Sequence, residues 1–147
     1  VVCRRQRQMC IRDSVKTDEV AFPAIETIIK HNAVERVCIA SFNSGRLERI
    51  RNKYPQICTS MGPKEVIKLV LNSFNLYTKE ISGECLQVPI YYYGIKVVTK
   101  RFIDFVQSKG LKIIVWTIND ESTFKELQKL NVDGVITDIP KKFFEIS

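Results

Sequence analysis

Apolar positions along this chain recur at helical spacing in some segments and as short β-branched runs in others, and the two kinds of segment alternate. From Asp18 to Asn32 the spacing of Val20, Ala24, Ile25, Ile28 and Ile29 draws one apolar stripe along a helix, with Pro23 tolerated in its first turn. A strand follows at 36–42, RVCIASF. Ser44 is then the expected amino-terminal cap of a helix with Leu47 and Ile50 facing inward, and Tyr54-Pro55 stops it. QICTSM, 56–61, is the next strand. Gly62-Pro63 opens a helix with a stripe of Val66, Ile67, Val70, Leu71 and Phe74, and Ser82-Gly83 marks a turn before the strand 85–90, CLQVPI. Pro89 cannot donate a ladder hydrogen bond, so the carboxyl end of that strand leaves the sheet early.

YYYGIKVV reads as a loop whose three tyrosines either line a ligand mouth or pack over the end of the core. Thr99 caps a helix with Phe102, Ile103 and Val106 inward, and Lys109-Gly110 closes it. Between Lys112 and Asp138, KIIVWTIND and VDGVITD flank a helical pattern of Phe124, Leu127 and Leu130. That is a strand–helix–strand crossover, which requires parallel strands. The tail PKKFFEIS ends the chain.

Five strands, four intervening helices and one helix in front predict a parallel sheet, either doubly wound or part of a (β/α)8 barrel. At 147 residues, length favours the doubly wound form, since a full barrel takes about 250. In both architectures the chemistry sits at the carboxyl ends of the strands.

A composition of 45% hydrophobic and 27% charged residues suits one domain with a real core. No apolar run approaches the roughly 18 residues of a membrane span, and the amino end has no apolar leader core, so the chain is expected to be soluble. Five cysteines without CxxC spacing make neither a disulfide framework nor a zinc site. Cys38, Cys58 and Cys85 lie in apolar runs as small hydrophobes, which points to a reducing, cytoplasmic compartment. The net charge of +7 is concentrated: residues 1–14 hold Arg4, Arg5, Arg7 and Arg12 against Asp13, leaving 19 basic and 15 acidic residues mixed over the remainder. Mixed charges of that kind are a solvated face, and no nucleic-acid partner is expected. Residues 1–14 show no periodicity and read as a basic, non-native or disordered segment, with the domain proper at 15–147.

Neither a glycine-rich nucleotide loop nor G-x-S-x-G is present, and His31 is the single histidine, placed to cap a helix carboxyl end. Of the strand-end carboxylates, Asp120 is expected to cap a helix and Asp133 to sit in a turn, while Asp138 either holds a loop or faces a ligand.

VWTIND, a helix of about a dozen residues and NVDGVITDIP together resemble the carboxyl-terminal signature of bacterial glycerophosphodiester phosphodiesterases. The resemblance continues upstream in order, through RVCIASF with its arginine-rich helix, QICTSMGPKEV and LQVPIYYYGIKVVTKRFIDFVQSKG, and covers roughly residues 15–141. It implies a TIM barrel of which these strands are the last five. It further implies cleavage of glycerophosphodiesters to glycerol 3-phosphate and an alcohol, with a calcium or magnesium ion held by carboxylates and a histidine pair moving protons. The family's His-Arg-Gly, its Glu-x-Asp pair and its second histidine have no counterpart here. The resemblance places Lys16 at the family's phosphate-contacting lysine and Ser14 where its third-strand acid stands. Phe42 and Trp116 fall at pocket-wall positions, with core packing as the alternative, and Gln87 and Asn119 are expected as inward amides at the barrel mouth. The chain is therefore expected to be an inactive half-barrel that binds no metal itself and self-associates through exposed strand edges. The alternative is a small doubly wound binding or regulatory domain.

Overall fold

The structure is a computed structural model that describes residues 11–14, 16–76 and 83–144, with side chains at 16–76 and 83–143. Residues 1–10, Val15, Ser82 and the end of the tail lie outside the described residues, so the expectations placed on them are not addressed. The chain forms two compact units, residues 1–68 with 79–85 and residues 69–78 with 86–147.

In the first unit, β1 (Ile11–Ser14), β2 (Val37–Ala40) and β3 (Cys58–Thr59) form a parallel sheet in that order. No element was expected before Val15, yet Ile11 pairs with Val37 and Ser14 with Ala40. Four residues of mixed polarity carry no legible period; the neighbouring strand supplies the ladder that holds them. α1 (Asp18–Lys30) follows β1, and His31 stands at its carboxyl cap as expected. Ala21 and Ile25 of α1 are fully buried against Val37 and Ile39 of β2 and against Ile50 and Ile57. Val20 was expected in that stripe but is 57% exposed, because the packed face is centred on Ala21 and Ile25.

A single 3-10 turn, Val34–Arg36, leads into β2, and α2 (Ser44–Lys53) follows it. The cap of α2 is Asn43, whose side-chain oxygen accepts from the Arg46 N–H at 3.0 Å. Ser44, the expected cap, instead donates its hydroxyl to Glu65 at 2.7 Å. Arg51 braces the same corner, donating to Thr59 Oγ1 at 2.8 Å and to the Ser60 carbonyl at 3.0 Å.

α3 (Pro63–Ser73) starts where Gly62-Pro63 predicts, but its inward residues are Leu69 and Ser73. Ile67, Leu71 and Phe74 are 48%, 39% and 52% exposed. Periodicity shows that a helix has an apolar stripe; which face meets a packed neighbour is a tertiary matter.

In the second unit, β4 (Cys85–Val88, whose first residue belongs to the first unit), β7 (Lys112–Val115) and β8 (Gly134–Val135) form a sheet in the order β4-β7-β8, with β7 and β8 parallel. β4 ends at Val88, before Pro89, as the missing donor requires. The tyrosine segment, read as a loop, is a small antiparallel ribbon of β5 (Tyr91–Tyr92) and β6 (Ile95–Lys96). Tyr93 and Gly94 turn it with positive φ values of 48° and 78°. α4 (Lys100–Ser108) buries Phe102, Ile103 and Val106, and Thr99 caps it by accepting from the Phe102 N–H. α5 (Glu121–Lys129) buries Phe124 and Leu127, and the Phe124 ring stacks on Phe143 of α6 (Pro140–Phe144) at 4.3 Å between centroids.

Strand and helix alternate as the βα repeats of a partial TIM-barrel fold. Among the described residues the strands form open sheets and no closed ring.

Candidate functional site

Each parallel strand delivers a few polar or aromatic residues at its carboxyl end before the next helix begins, and those ends are the candidate site. In the first unit Lys16 follows β1 and is exposed, and Asp18 two residues later opens α1. Ser41, Phe42 and Asn43 follow β2. Phe42 is 72% exposed.

Arg46, in the first turn of α2, ties these two strand ends together. Its Nε donates to Asp18 Oδ1 at 2.5 Å and its Nη1 to Ser41 Oγ at 3.0 Å, while Arg49 donates to Asp18 Oδ2 at 2.6 Å. The Arg46 side chain is only 10% exposed. Hydrogen bonding and the nearby charge of the two guanidiniums, Arg46 foremost, hold the Asp18 carboxyl below its ordinary range. Sequence reasoning passed over Arg46. Its signal was faint: an arginine two residues into a helix that follows a strand ending in serine.

In the second unit Gln87, Trp116 and Asn119 stand near the carboxyl ends of the adjacent strands β4 and β7, so three of the expected residues fall on neighbouring strands. The Trp116 N–H donates to the Val88 carbonyl at 3.1 Å, and the Trp116–Thr117 peptide is cis. Trp116 is half-buried. Gln87 is half-buried too, and its Nε2 is a buried donor with no hydrogen-bond partner among the described residues. A buried amide left unpaired costs about 1–3 kcal/mol, so such a donor at a strand end is a natural place for a ligand oxygen.

Asn119 is committed within the chain. Its Nδ2 donates to Asp138 Oδ2 at 2.8 Å, and its Oδ1 accepts from the Asp138 N–H at 3.0 Å and the Thr137 hydroxyl at 3.2 Å. The amide thus bridges the ends of β7 and β8. Asp138, for which two roles stood open, holds this loop.

The other two strand-end carboxylates are structural as well. Asp120 caps α5: the Thr123 N–H donates to it at 2.8 Å and Ser122 donates its hydroxyl, and these bonds, Thr123 first, bring the carboxyl down to about 2. Asp133 was expected as a turn residue. It accepts from the Ile113 N–H at 3.0 Å, from Lys112 Nζ at 2.7 Å and from Gln107 Nε2 at 3.3 Å, bracing the start of β7.

A divalent ion needs several oxygen or nitrogen donors converging on one point. Among the described residues no group of three or more His, Cys, Asp or Glu side chains could hold one, and the carboxylates just named are engaged in caps and braces. The described residues do not fit a metal site.

Comparison with known proteins gives the family and the fold. The profile of the glycerophosphoryl diester phosphodiesterase family matches residues 6–142. A glycerophosphodiester phosphodiesterase of Bacillus altitudinis is 28% identical over 141 residues, covering 92% of this chain and 55% of the relative. One from Caldanaerobacter subterraneus subsp. tengcongensis is 23% identical over 145 residues, covering 95% of this chain and 56% of the relative. The chain thus spans about half the length of the curated relatives it matches. Among solved structures, a glycerophosphodiester phosphodiesterase from Parabacteroides distasonis superimposes with a TM-score of 0.70 at 18% identity, over 95% of this chain and 58% of that one. The Thermotoga maritima enzyme gives 0.64 at 20% identity, over 93% and 57%. With the family profile spanning nearly the whole chain and the fold shared with these structures, the chain belongs to the glycerophosphoryl diester phosphodiesterase family.

Proposed function

We propose that this chain is the carboxyl-terminal part of a barrel that hydrolyses glycerophosphodiesters to glycerol 3-phosphate and an alcohol, a cytoplasmic step in glycerophospholipid metabolism. The family profile over residues 6–142 carries the reading. Water attacks phosphorus, the P–O bond to the alcohol breaks, and a proton goes to the departing oxygen. Lys16, exposed after β1, supplies a charge to a phosphoryl oxygen. In the same unit Phe42 offers a wall to the glycerol or alcohol portion; in the second unit Trp116 offers a wall and the unpaired Gln87 Nε2 a donor for a substrate oxygen. Asn119 acts through the loop it locks to Asp138.

The divalent ion, calcium or magnesium, belongs to the complete enzyme, and its carboxylate ligands are outside the residues described. Moving one proton onto water's leaving partner and another away from the attacking water calls for a positioned acid and base. His31 is the single histidine of the chain and stands exposed at the cap of α1. We therefore propose that the chain by itself binds product-like ligands but does not turn over substrate, and that its strand edges promote self-association.

Trp116 is the only tryptophan, so its fluorescence reports on the strand ends directly. Titrating the purified chain with glycerol 3-phosphate is expected to change that signal, with about five-fold weaker binding in Gln87→Leu, as loss of one hydrogen bond in the same unit implies. A flat titration overturns the ligand-binding reading. Release of choline from glycerophosphocholine in calcium or magnesium by the same preparation overturns the inactive reading.

A further inference from the structure

Three thiols that play no part in the proposed reaction lie together in the first unit. Cys38 on β2 is the register partner of Cys58 on β3, and Cys85 follows on the next strand, where its neighbour in a parallel bridge is Ser60. Cys38 Sγ and Cys85 Sγ are 3.4 Å apart, and the Cys58 side chain lies close to both. All three are free.

The alternation of β2 shows which face they share. Val37 and Ile39 pack on Ala21 and Ile25 of α1, so Cys38 between them turns to the opposite side of the sheet. Thr59 of β3 accepts a hydrogen bond from Arg51 of α2, which turns Cys58 to that same opposite side. The thiols thus form a row across the face away from the helices, 8% exposed at Cys38 and 6% at Cys85, with Cys58 half-buried as the accessible member.

We propose that this row is an oxidisable thiol site, in which Cys58 reacts with a small peroxide and Cys38 resolves it to a single cross-strand disulfide, leaving Cys85 reduced. Strand spacing selects the pair. Adjacent parallel strands put register partners about 4.8 Å apart at Cα, within the 4.4–6.8 Å that a disulfide spans. Cys38 and Cys85 stand two strands apart, more than about 9.6 Å at the same spacing because Cys85 is also two positions further along in register, and their sulfurs meet only because both side chains reach across.

The chemistry balances with the peroxide as the only added reagent. The Cys58 sulfur takes one oxygen from hydrogen peroxide, releasing water and forming a sulfenic acid. The Cys38 sulfur then attacks that sulfur, the S–S bond forms, the S–O bond breaks, and the departing hydroxyl leaves as a second water with the Cys38 proton. Contact with Cys58 and Cys85, together with burial, holds the Cys38 thiol well above its ordinary range; at Cys58 the contact with Cys38 lowers the thiol, and so does that with Glu84, but contact with Cys85 and burial outweigh them and the net shift is upward. Oxidation is therefore slow at neutral pH and faster in alkali.

Each of the three residues falls in its own tryptic peptide, 37–46, 54–64 and 80–96, which makes the linkage readable. The full chain carrying Cys3→Ser and Cys10→Ser is treated with hydrogen peroxide, quenched with iodoacetamide and digested. The expected product has lost two hydrogens, joins 37–46 to 54–64, carries one alkylated cysteine at 85 and reverts with dithiothreitol. The same treatment in urea is expected to give a mixture of all three linkages. Adding Cys58→Ser is expected to abolish linkage in the folded chain. A linkage between 37–46 and 80–96 in the folded protein, an identical mixture with and without urea, or three freely alkylated thiols after treatment at pH 9 each overturns the proposal.

Discussion

Replacing Asp133 by alanine tests whether the β7–β8 end of the fold is held by one carboxylate. Two terms make up the expected cost. The Ile113 N–H, at the start of a strand whose next three residues are buried, loses its acceptor at 3.0 Å, and an unpaired donor in such a place costs about 1–3 kcal/mol. The pair with Lys112 adds about 0–1 kcal/mol, because the lysine side chain is 50% exposed even though that of Asp133 is 15% exposed. Gln107 loses little, since its Nε2 keeps the Asn131 carbonyl at 2.8 Å. The sum is about 1–4 kcal/mol, or roughly 3–15 °C in melting temperature for a chain of this size. Asp133→Asn retains an acceptor for Ile113 and is expected to lose only about 1 kcal/mol.

The pH dependence separates charge from geometry. Burial raises the Asp133 carboxyl, but Lys112, the Ile113 N–H and Gln107 together outweigh it, and the net shift is downward. A carboxyl depressed on folding contributes stability that is present above its unfolded pKa, about 3.9, and is lost as pH falls through the lower folded value. The gap between wild type and Asp133→Asn is therefore expected at pH 7 and absent by about pH 2–3. Urea unfolding followed by circular dichroism at the two pH values measures it. Equal midpoints for wild type and Asp133→Ala at pH 7, with unchanged slope, would refute the argument.

Two further outcomes rest on single local features. Thr99→Ala removes the α4 cap and is expected to cost about 1 kcal/mol in the same urea assay, with Thr99→Ser recovering most of it. Gly83 has φ +128°, and a Cβ there would meet Met61 Cγ at 2.6 Å; Gly83→Ala is expected to lower the melting temperature measurably, whereas Gly110→Ala, with open space around it, is expected to cost only the positive-φ penalty of about 1 kcal/mol.

Much of the fold was legible because local patterns agreed with the global one. α1, α4 and α5 start and end close to where stripe and cap predict, and Pro89 truncates β4. The family was legible too, because ordered strand-end motifs such as VWTIND and NVDGVITDIP survive at low identity. The site was legible only in part. Trp116 and Gln87 could be placed at strand ends from the strands themselves, but that Asn119 is consumed by Asp138, and that Arg46 clasps Asp18 from 28 residues away, are facts of tertiary proximity.

By itself, then, the sequence determined the alternation of strand and helix, the parallel sense of the crossovers and the family, since these follow from period, length and local motif. Only the tertiary structure decided which face of α3 is covered, that Ile11–Ser14 join a sheet, that Asn43 rather than Ser44 caps α2, and that three cysteines from separate strands share one row. The physical reason is the same in each case. Periodicity describes what a segment offers, whereas burial, strand register and hydrogen-bond partners depend on which distant segment arrives beside it.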